Sequence, residues 1–133
     1  MKYLLDTHTF IWLLFEPKKL SSKVSTIIME PENTIYVSLI TFWEISLKYN
    51  LGKISLKNVV PDDLPGYAKK SGIEILELEA DIVSSFHKLP VDSHKDPFDR
   101  LIIWQCIHKG ITLLTKDSEI SQYEKYHLKT IWS

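Results

Sequence analysis

Residues 2–15 read KYLLDTHTFIWLLF, and this stretch decides the fold class. Its first four residues form a short, mostly apolar run that is typical of a buried strand. Residues 9–15 then have the spacing of a helix, which we expect to end before Pro17. Asp6 stands at the junction, where the strand passes directly into the helix. The stretch therefore predicts a strand–helix unit with a carboxylate at the end of its strand.

Strands and helices keep alternating along the rest of the chain. We predict strands at residues 2–5, 34–39, 73–78, 111–114 and 129–132. We predict helices at residues 9–15, 22–29, 41–49, 61–71, 80–89, 97–109 and 118–123. Short apolar strands that alternate with helices are typical of a mostly parallel sheet with helices on both faces. Because no repeat or long linker divides it, we predict one α/β domain spanning residues 1–133.

Composition and charge narrow the functional classes. Of the 133 residues, 44% are hydrophobic and 25% are charged, which suits a single globular domain. The net charge of −1 provides no overall field for nucleic acid, so such a partner would need a local basic patch. The lone Cys106 excludes an internal disulfide and fits a reducing cytoplasm. Asp6 and His8 interrupt the apolar N-terminus too early for a signal peptide, and no apolar run approaches the ~18 residues of a membrane span.

Two acidic residues are predicted to meet at one edge of the sheet. Asp6 directly follows the strand at residues 2–5, and Asp117 comes shortly after the strand at residues 111–114. In parallel sheets the carboxyl ends of the strands share an edge, and binding sites lie there. Each acid has a structural alternative, since Asp at a strand-to-helix junction often caps the helix. Capping does not explain why both carboxylates are placed at the same edge.

The helix at residues 97–109 carries a third acid on its apolar face. At about 100° per residue, Asp99 projects between Ile102 and Cys106. A solvated carboxylate seldom lies on such a face, which favours a functional role for Asp99. Asp96 stands directly before the proline that opens the helix, an arrangement typical of a helix cap. We therefore assign Asp96 to capping in preference to metal binding.

Glu44 is ambiguous from helix geometry alone. Within the helix at residues 41–49 it has apolar neighbours on one side and Lys48 four residues further on. A surface ion pair with Lys48 accounts for it and contributes only about 0.2–0.5 kcal/mol. From the helix pattern by itself, we interpret Glu44 as one partner of a surface ion pair.

Several converging carboxylates are what phosphoryl transfer by metal-activated water requires. Mg²⁺ prefers oxygen ligands, keeps several waters and needs only a few carboxylates. A bound metal lowers the pKa of water and neutralises charge on a phosphodiester. Zinc is not expected, because the five histidines lack paired ligand spacing and the cysteine is single.

Several residues near these acids are candidates for supporting roles. Thr7 and Thr115 lie close to two of the acids in sequence and can hydrogen-bond to them. We interpret His94 as a solvated histidine in a polar loop, and the four tryptophans as core or interface residues. Scattered surface lysines are also common in proteins that bind no nucleic acid. With that alternative open, the candidates for a phosphate-contacting rim are Lys48, Lys53, Lys57, Lys95, Arg100 and Lys116.

Four segments of the sequence together resemble a known family. In the family's order and across nearly the whole chain, they are residues 4–8 (LLDTH), 42–45 (FWEI), 94–102 (HKDPFDRLI) and 113–117 (LLTKD). The DPFDR sequence is specific, whereas each of the other segments alone is weak. On these segments the chain resembles the PIN-domain ribonucleases of the VapC type, the toxins of bacterial toxin–antitoxin pairs.

The resemblance implies a three-layer α/β/α sandwich with a short, mostly parallel central sheet. It implies a metal-dependent endoribonuclease that binds Mg²⁺ or Mn²⁺ and cuts single-stranded or loop RNA. Carried over to this sequence, the acidic site comprises Asp6, Glu44, Asp99 and Asp117, with Asp6 and Asp99 as direct metal ligands. Asp96 stays open between a supporting role and capping. The resemblance also implies a cytoplasmic homodimer, inhibited by a cognate antitoxin whose C-terminal segment covers the acidic cleft.

Three other interpretations stay open. One is an inactive PIN relative that only binds RNA or protein, against which the presence of all four acids argues. A phosphatase of the haloacid dehalogenase type also has Asp at a strand end, but it needs a second Asp where this chain has His8. A receiver-like signalling module would use Asp6 and Lys116. That module also needs a phospho-accepting Asp where the predicted strand at residues 34–39 ends in Ser and Leu.

Overall fold

The computed structural model describes residues 1–91 and 93–133. Its strands are β1 (Lys2–Leu5), β2 (Thr34–Ser38), β3 (Glu74–Leu76), β4 (Thr112–Leu114) and β5 (Thr130–Ile131). Its α-helices are α1 (Thr7–Phe15), α2 (Ser22–Met29), α3 (Leu39–Asn50), α4 (Leu64–Lys70), α5 (Ala80–Ser85), α6 (Pro97–Lys109) and α7 (Ser118–Ser121). Short 3₁₀ helices lie at Pro17–Lys19, Pro61–Asp63, Phe86–Lys88 and Gln122–Tyr126. The predicted alternation of strands and helices is confirmed.

The five strands form one sheet in the order β3-β2-β1-β4-β5, and each neighbouring pair in it is parallel. In the central strand β1, Leu5 lies opposite both Val37 of β2 and Leu114 of β4. The chain runs outward from β1 through β2 to β3, and then returns to the other side of β1 to form β4 and β5. The space between the ends of β1 and β4 is therefore the switch point, where α/β sheets place their binding sites.

Side chains alternate along the strands and build a core on each face of the sheet. On one face, Leu5 packs in a cluster with Phe10 of α1 and Ile45 of α3. On the other face, Leu4 packs in a second cluster with Ile102 of α6. Helices therefore cover both faces of the sheet, and the predicted α/β/α sandwich is confirmed.

Element ends differ from the predictions by a few residues. The predicted helices at 61–71, 80–89 and 118–123 each combine a short α-helix with a 3₁₀ turn. α1 begins at Thr7 rather than at residue 9, because the Asp6 side chain accepts a hydrogen bond from the Thr9 N–H and caps the helix. α6 ends at Lys109 and is capped by Gly110, whose φ of 64° is a left-handed conformation that glycine adopts at little cost.

The helices are short compared with a bilayer. The longest helix in the described part of the chain, α6, has 13 residues, whereas a membrane-spanning helix needs about 20. Within residues 1–91 and 93–133, no helix is long and apolar enough to cross a membrane.

Candidate active site

Asp6 and Asp117 meet at the switch point of the sheet. Asp6 follows β1, Asp117 follows β4, and both line a pocket of about 390 Å³ together with Lys116. Both carboxylates also cap helices: Asp6 accepts from the Thr9 N–H and Asp117 from the Glu119 N–H, each at 2.8 Å. The capping alternative and the shared placement at one edge are therefore both correct, since capping fixes each carboxylate while leaving it beside the pocket.

The Asp6 carboxyl lies in a buried environment. Asp6 is only 5% exposed, and this burial raises the pKa of its carboxyl. Hydrogen bonds from Thr115 and Thr9 act in the opposite direction, to lower that pKa. The Thr115 hydroxyl also accepts a hydrogen bond from the Asp117 N–H at 3.1 Å. Thr115 therefore contacts both acids at the strand ends, in the position that a supporting residue needs.

The interpretation of Glu44 as a surface residue is wrong. The predicted ion pair with Lys48 is present, but Glu44 itself is only 2% exposed. Its other carboxylate oxygen accepts a hydrogen bond from the Thr7 hydroxyl at 2.6 Å, and that hydroxyl lies 3.1 Å from the Thr41 hydroxyl. The reason is that α1 and α3 pack together, so that α1 covers a part of α3 that helix spacing alone left open. Thr7 therefore supports Glu44 rather than its sequence neighbour Asp6.

Asp99 lies among other acids at the start of α6. Asp96 caps this helix as predicted, accepting from the Asp99 N–H at 3.0 Å. The Asp99 side chain is 19% exposed, and burial, with the charges of Asp96 and Glu44, raises the pKa of its carboxyl to about 6. The charges of Asp96 and Glu44 are therefore close enough to act on the Asp99 carboxyl.

His94 was expected to be solvated, and this interpretation is wrong. Its side chain is only 9% exposed, with Nε2 3.0 Å from Asp99 Oδ2 and Nδ1 2.9 Å from Glu119 Oε2. Burial acts to lower the pKa of the imidazole, but its bonds to Glu119 and Asp99 outweigh that effect and raise it. Sequence reasoning missed His94, because a loop residue has no periodicity to show what folds over it. It also missed Glu119 of α7, because the partner of its side chain lies 25 residues away in the sequence. The one available signal was the position of His94 shortly before the DPFD segment.

Arg100 does not belong to a phosphate-contacting rim, which corrects that prediction. The residue is 8% exposed, and its guanidinium donates to the carbonyl oxygens of Leu89 and Pro90 at 2.9 and 3.2 Å. Its Nε also donates to the Tyr123 hydroxyl at 3.3 Å. These bonds turn the side chain inward, so Arg100 fixes the chain next to the site instead of facing a ligand.

Lys48 and Lys116 keep positions beside the acids. Lys116 is exposed and lines the pocket that holds Asp6 and Asp117. Burial acts to lower the pKa of the Lys48 ammonium, but its bond to Glu44 and the charges of nearby acids outweigh that effect and raise it. Of the candidate basic residues, these two have a direct structural relation to the acidic cluster.

The converging residues suit a hard divalent cation. Among the described residues, one ligand atom each from His94, Asp99 and Asp117 lie within 4.8 Å of one another. Asp6 is outside that group but shares the pocket with Asp117. Carboxylate oxygens are the ligands that Mg²⁺ and Mn²⁺ prefer. A cation at this point would also offset the effects of burial and of the Asp96 and Glu44 charges, which together raise the pKa of the Asp99 carboxyl.

A comparison with protein families decides the family. The model of the PIN domain matches residues 3–126 of the chain. The chain belongs to the PIN domain family. This PIN domain thus has the fold that the four sequence segments indicated, and the haloacid dehalogenase and receiver interpretations fall away.

Individual relatives agree with this assignment over the full length of the PIN domain. Ribonuclease VapC22 of Mycobacterium tuberculosis is 28% identical over 129 residues, which cover 97% of each chain. The crystal structure of VapBC2 from Rickettsia felis, bound to a promoter DNA fragment, contains a chain 21% identical, with a TM-score of 0.70 and 100% of both chains covered. VapBC-1 from nontypeable Haemophilus influenzae gives 18% identity and a TM-score of 0.64, covering 98% of this chain and 97% of the other. The solved structures show that the fold is shared.

Proposed function

We propose that this PIN domain is a metal-dependent endoribonuclease and the toxin of a toxin–antitoxin pair. The observation that carries the proposal is that Asp117 shares the pocket at the switch point of the sheet with Asp6 and has a ligand atom within 4.8 Å of one from Asp99. The name of the relative Ribonuclease VapC22, similar over 97% of the chain, supports the same activity. We place the protein in the cytoplasm, where such an enzyme meets cellular RNA.

Asp6, Asp99 and Asp117 would hold Mg²⁺ or Mn²⁺. A divalent cation bound there would lower the pKa of a water and neutralise charge on the phosphodiester. The Asp6 carboxylate is preorganised, because hydrogen bonds from Thr9 and Thr115 fix its orientation and burial keeps bulk water away from it. In-line hydrolysis would leave a 5′-phosphate and a 3′-hydroxyl.

Glu44 would act from the side of the cluster without being a direct ligand. The Thr7 hydroxyl and the Lys48 ammonium each hold one of its carboxylate oxygens, at 2.6 and 2.5 Å. These contacts leave its charge close to Asp99, where it can orient a water or a hydroxyl through hydrogen bonds. Asp96 would support the site by holding the first turn of α6.

Lys48 and Lys116 would contact the phosphates of single-stranded or loop RNA. The chain as a whole has a net charge of −1, so attraction must come from local cations. Lys116 lies in the wall of the pocket beside Asp6 and Asp117, and Lys48 lies next to Glu44. Phosphate contacts of this kind position an RNA without reading its bases.

The proposal is tested by incubating the purified protein with total RNA, with Mg²⁺ or Mn²⁺ and with EDTA. We expect cleavage that needs the cation and that Asp6→Ala and Asp99→Asn abolish. The matched control is Asp81→Asn, an exposed acid in α5, which should cleave like the wild type. Cleavage that persists in both site variants would disprove the site assignment. RNA binding with no cleavage under any condition would instead indicate an inactive binding module.

We also propose a homodimer, supported by an exposed apolar stripe on α3. The stripe repeats every fourth residue, the spacing of one helix face. Large apolar residues that stay exposed along one face are typical of an interaction site. Its members are Leu39 (36% exposed), Trp43 (61%) and Leu47 (38%) on α3, and Leu51 (56%), the C-cap residue of α3.

The remaining proposed partner is a cognate antitoxin. Three solved structures similar to this chain are of VapBC assemblies, and two of these are bound to DNA. We propose that the antitoxin's C-terminal segment covers the acidic cleft, where a basic side chain would complement the carboxylates.

A further inference from the structure

Carboxylates hold the His94 ring on both sides. Its Nε2 lies 3.0 Å from Asp99 Oδ2, and its Nδ1 lies 2.9 Å from Glu119 Oε2. The Glu119 N–H in turn donates to Asp117 Oδ1 at 2.8 Å. A continuous chain of contacts therefore runs from Asp117 through Glu119 and His94 to Asp99. It joins two of the proposed metal-binding acids, which come from the end of β4 and the start of α6.

The backbone around His94 is also fixed. The Tyr123 hydroxyl donates to the His94 carbonyl oxygen at 3.0 Å and accepts from Arg100 Nε at 3.3 Å. Tyr123 is 1% exposed and Arg100 is 8% exposed, so both bonds lie inside the protein. The His94 ring is therefore held at its base by the backbone and at its two nitrogens by side chains.

We propose that His94 and Glu119 are positioning residues of the metal site, and that His94 orients Asp99 without binding the metal itself. This inference rests on the proposed function and adds two residues to it. Both ring nitrogens of His94 are already engaged by carboxylates, so neither is free to bind a cation while these bonds last. A ligating carboxylate that is held by a further hydrogen bond keeps its orientation, and loss of such a contact typically costs about 10- to 100-fold in metal affinity or activity.

Two substitutions separate the two contacts of the ring. In His94→Asn the amide occupies the position of Nδ1, so the variant keeps the Glu119 contact and loses the Asp99 contact. In His94→Gln the amide reaches the position of Nε2, so the Asp99 contact is kept. We expect His94→Asn to weaken Mn²⁺ binding about 10- to 100-fold, measured by calorimetry, and His94→Gln to lose clearly less. His87→Gln, at an exposed histidine, is the matched control and should bind Mn²⁺ like the wild type.

Glu119→Gln tests the outer half of the chain of contacts. The Glu119 side chain is 62% exposed, so this variant should fold normally, which circular dichroism will verify. We expect it to weaken Mn²⁺ binding and to lower kcat more than it changes KM. The matched control is Glu124→Gln, an exposed acid in the next helical turn, which should leave both unchanged. Normal Mn²⁺ affinity and kcat in both Glu119→Gln and His94→Asn would overturn the inference. It would also be overturned if His94→Asn and His94→Gln lost Mn²⁺ affinity equally while Glu119→Gln bound Mn²⁺ like the wild type.

Pulsed electron paramagnetic resonance on the Mn²⁺-loaded protein separates orientation from ligation. We expect no coupling from a directly bound imidazole nitrogen in the wild type. A strong coupling that disappears in His94→Asn would identify His94 as a ligand and overturn the inference. Failure of the proposed function looks different, because wild-type protein would then neither bind Mn²⁺ nor cleave RNA. A wild type that does both, with the variants unchanged, would overturn the positioning roles alone.

Discussion

The Thr7 hydroxyl lies 2.6 Å from Glu44 Oε1 and joins the start of α1 to the middle of α3. Thr7 follows Asp6 directly, so the same turn that places Asp6 at the edge of the sheet also holds Glu44. Both residues of this bond are buried, at 5% and 2% exposed. A buried carboxylate depends on such donors, because an unpaired one is costly.

Thr7→Val should therefore weaken both the fold and the site. The isosteric side chain removes one donor from the buried Glu44 carboxylate, which should lower the free energy of unfolding by about 1–3 kcal/mol. We expect metal-dependent RNA cleavage to fall as well. Of the two side chains that bond to the Glu44 carboxylate, Thr7 and Lys48, only Lys48 would remain. Guanidinium unfolding and an RNA cleavage assay measure the two effects. Thr26→Val, at an exposed position in α2, is the control, and equal effects of the two variants would contradict the role given to Thr7.

Asp99→Asn should stabilise the metal-free protein while it abolishes activity. Folding raises the pKa of the Asp99 carboxyl from 3.8 to about 6, so between these values the folded state binds more protons than the unfolded one. The contribution of this group is therefore favourable at low pH and is lost as the pH rises through about 6. Since each pKa unit corresponds to about 1.4 kcal/mol, an ionised Asp99 costs roughly 1–3 kcal/mol above that pH.

Unfolding in EDTA at pH 5 and pH 8 measures this effect. The variant should exceed the wild type in stability at pH 8, and the difference should shrink at pH 5. Adding Mn²⁺ at pH 8 should stabilise the wild type and not the variant, because a ligand that binds only the folded state raises its stability. A variant less stable than the wild type at pH 8 would show that burial and the charges of Asp96 and Glu44 do not destabilise the ionised Asp99 carboxylate.

Arg100 and Lys116 should respond to substitution in opposite ways. Arg100→Met leaves buried carbonyl oxygens without their donor, which should lower the free energy of unfolding by about 2–3 kcal/mol. Lys116→Gln removes an exposed charge beside the pocket, so it should leave stability unchanged and weaken RNA binding. The salt dependence of that binding should become shallower by about 0.7 in its logarithmic slope. Thermal unfolding and RNA binding at several salt concentrations test both, and a salt slope unaltered by Lys116→Gln would remove it from the proposed RNA contacts.

Leu47→Glu should convert the proposed dimer into a monomer. The substitution places a charge in the middle of the apolar stripe on α3, where a partner would have to desolvate it. Light scattering after gel filtration measures the mass directly. Val83→Glu, at a 45% exposed position on α5, is the matched control and should leave the mass unchanged. A wild-type protein that is monomeric at the same concentration would contradict the homodimer.

The local order of the chain was predictable because the signals for it are local. Apolar runs, helix spacing and the turn residues between them lie within a few residues of one another, so they predicted the strands, most of the helices and the parallel sheet. The caps at Asp6, Asp96 and Asp117 were predictable for the same reason, since a cap bonds to a backbone N–H only two or three residues away. Asp6 and Asp117 come at or shortly after the ends of two strands, and the parallel topology brings these two acids to one pocket.

Tertiary structure alone decided which polar residues are buried together. Glu44 looked like a surface residue because helix spacing does not show that α1 packs over it, and His94 looked solvated because its partners are 5 and 25 residues away. From the sequence, Arg100 was a candidate for phosphate contact, but in the structure its guanidinium donates to the carbonyl oxygens of Leu89 and Pro90. In each case the deciding contact is between elements that the sequence keeps apart. The sequence by itself thus determined the helices and strands and the acids at their ends. Packing determined which side chains hydrogen-bond to those acids and which basic side chains lie next to them.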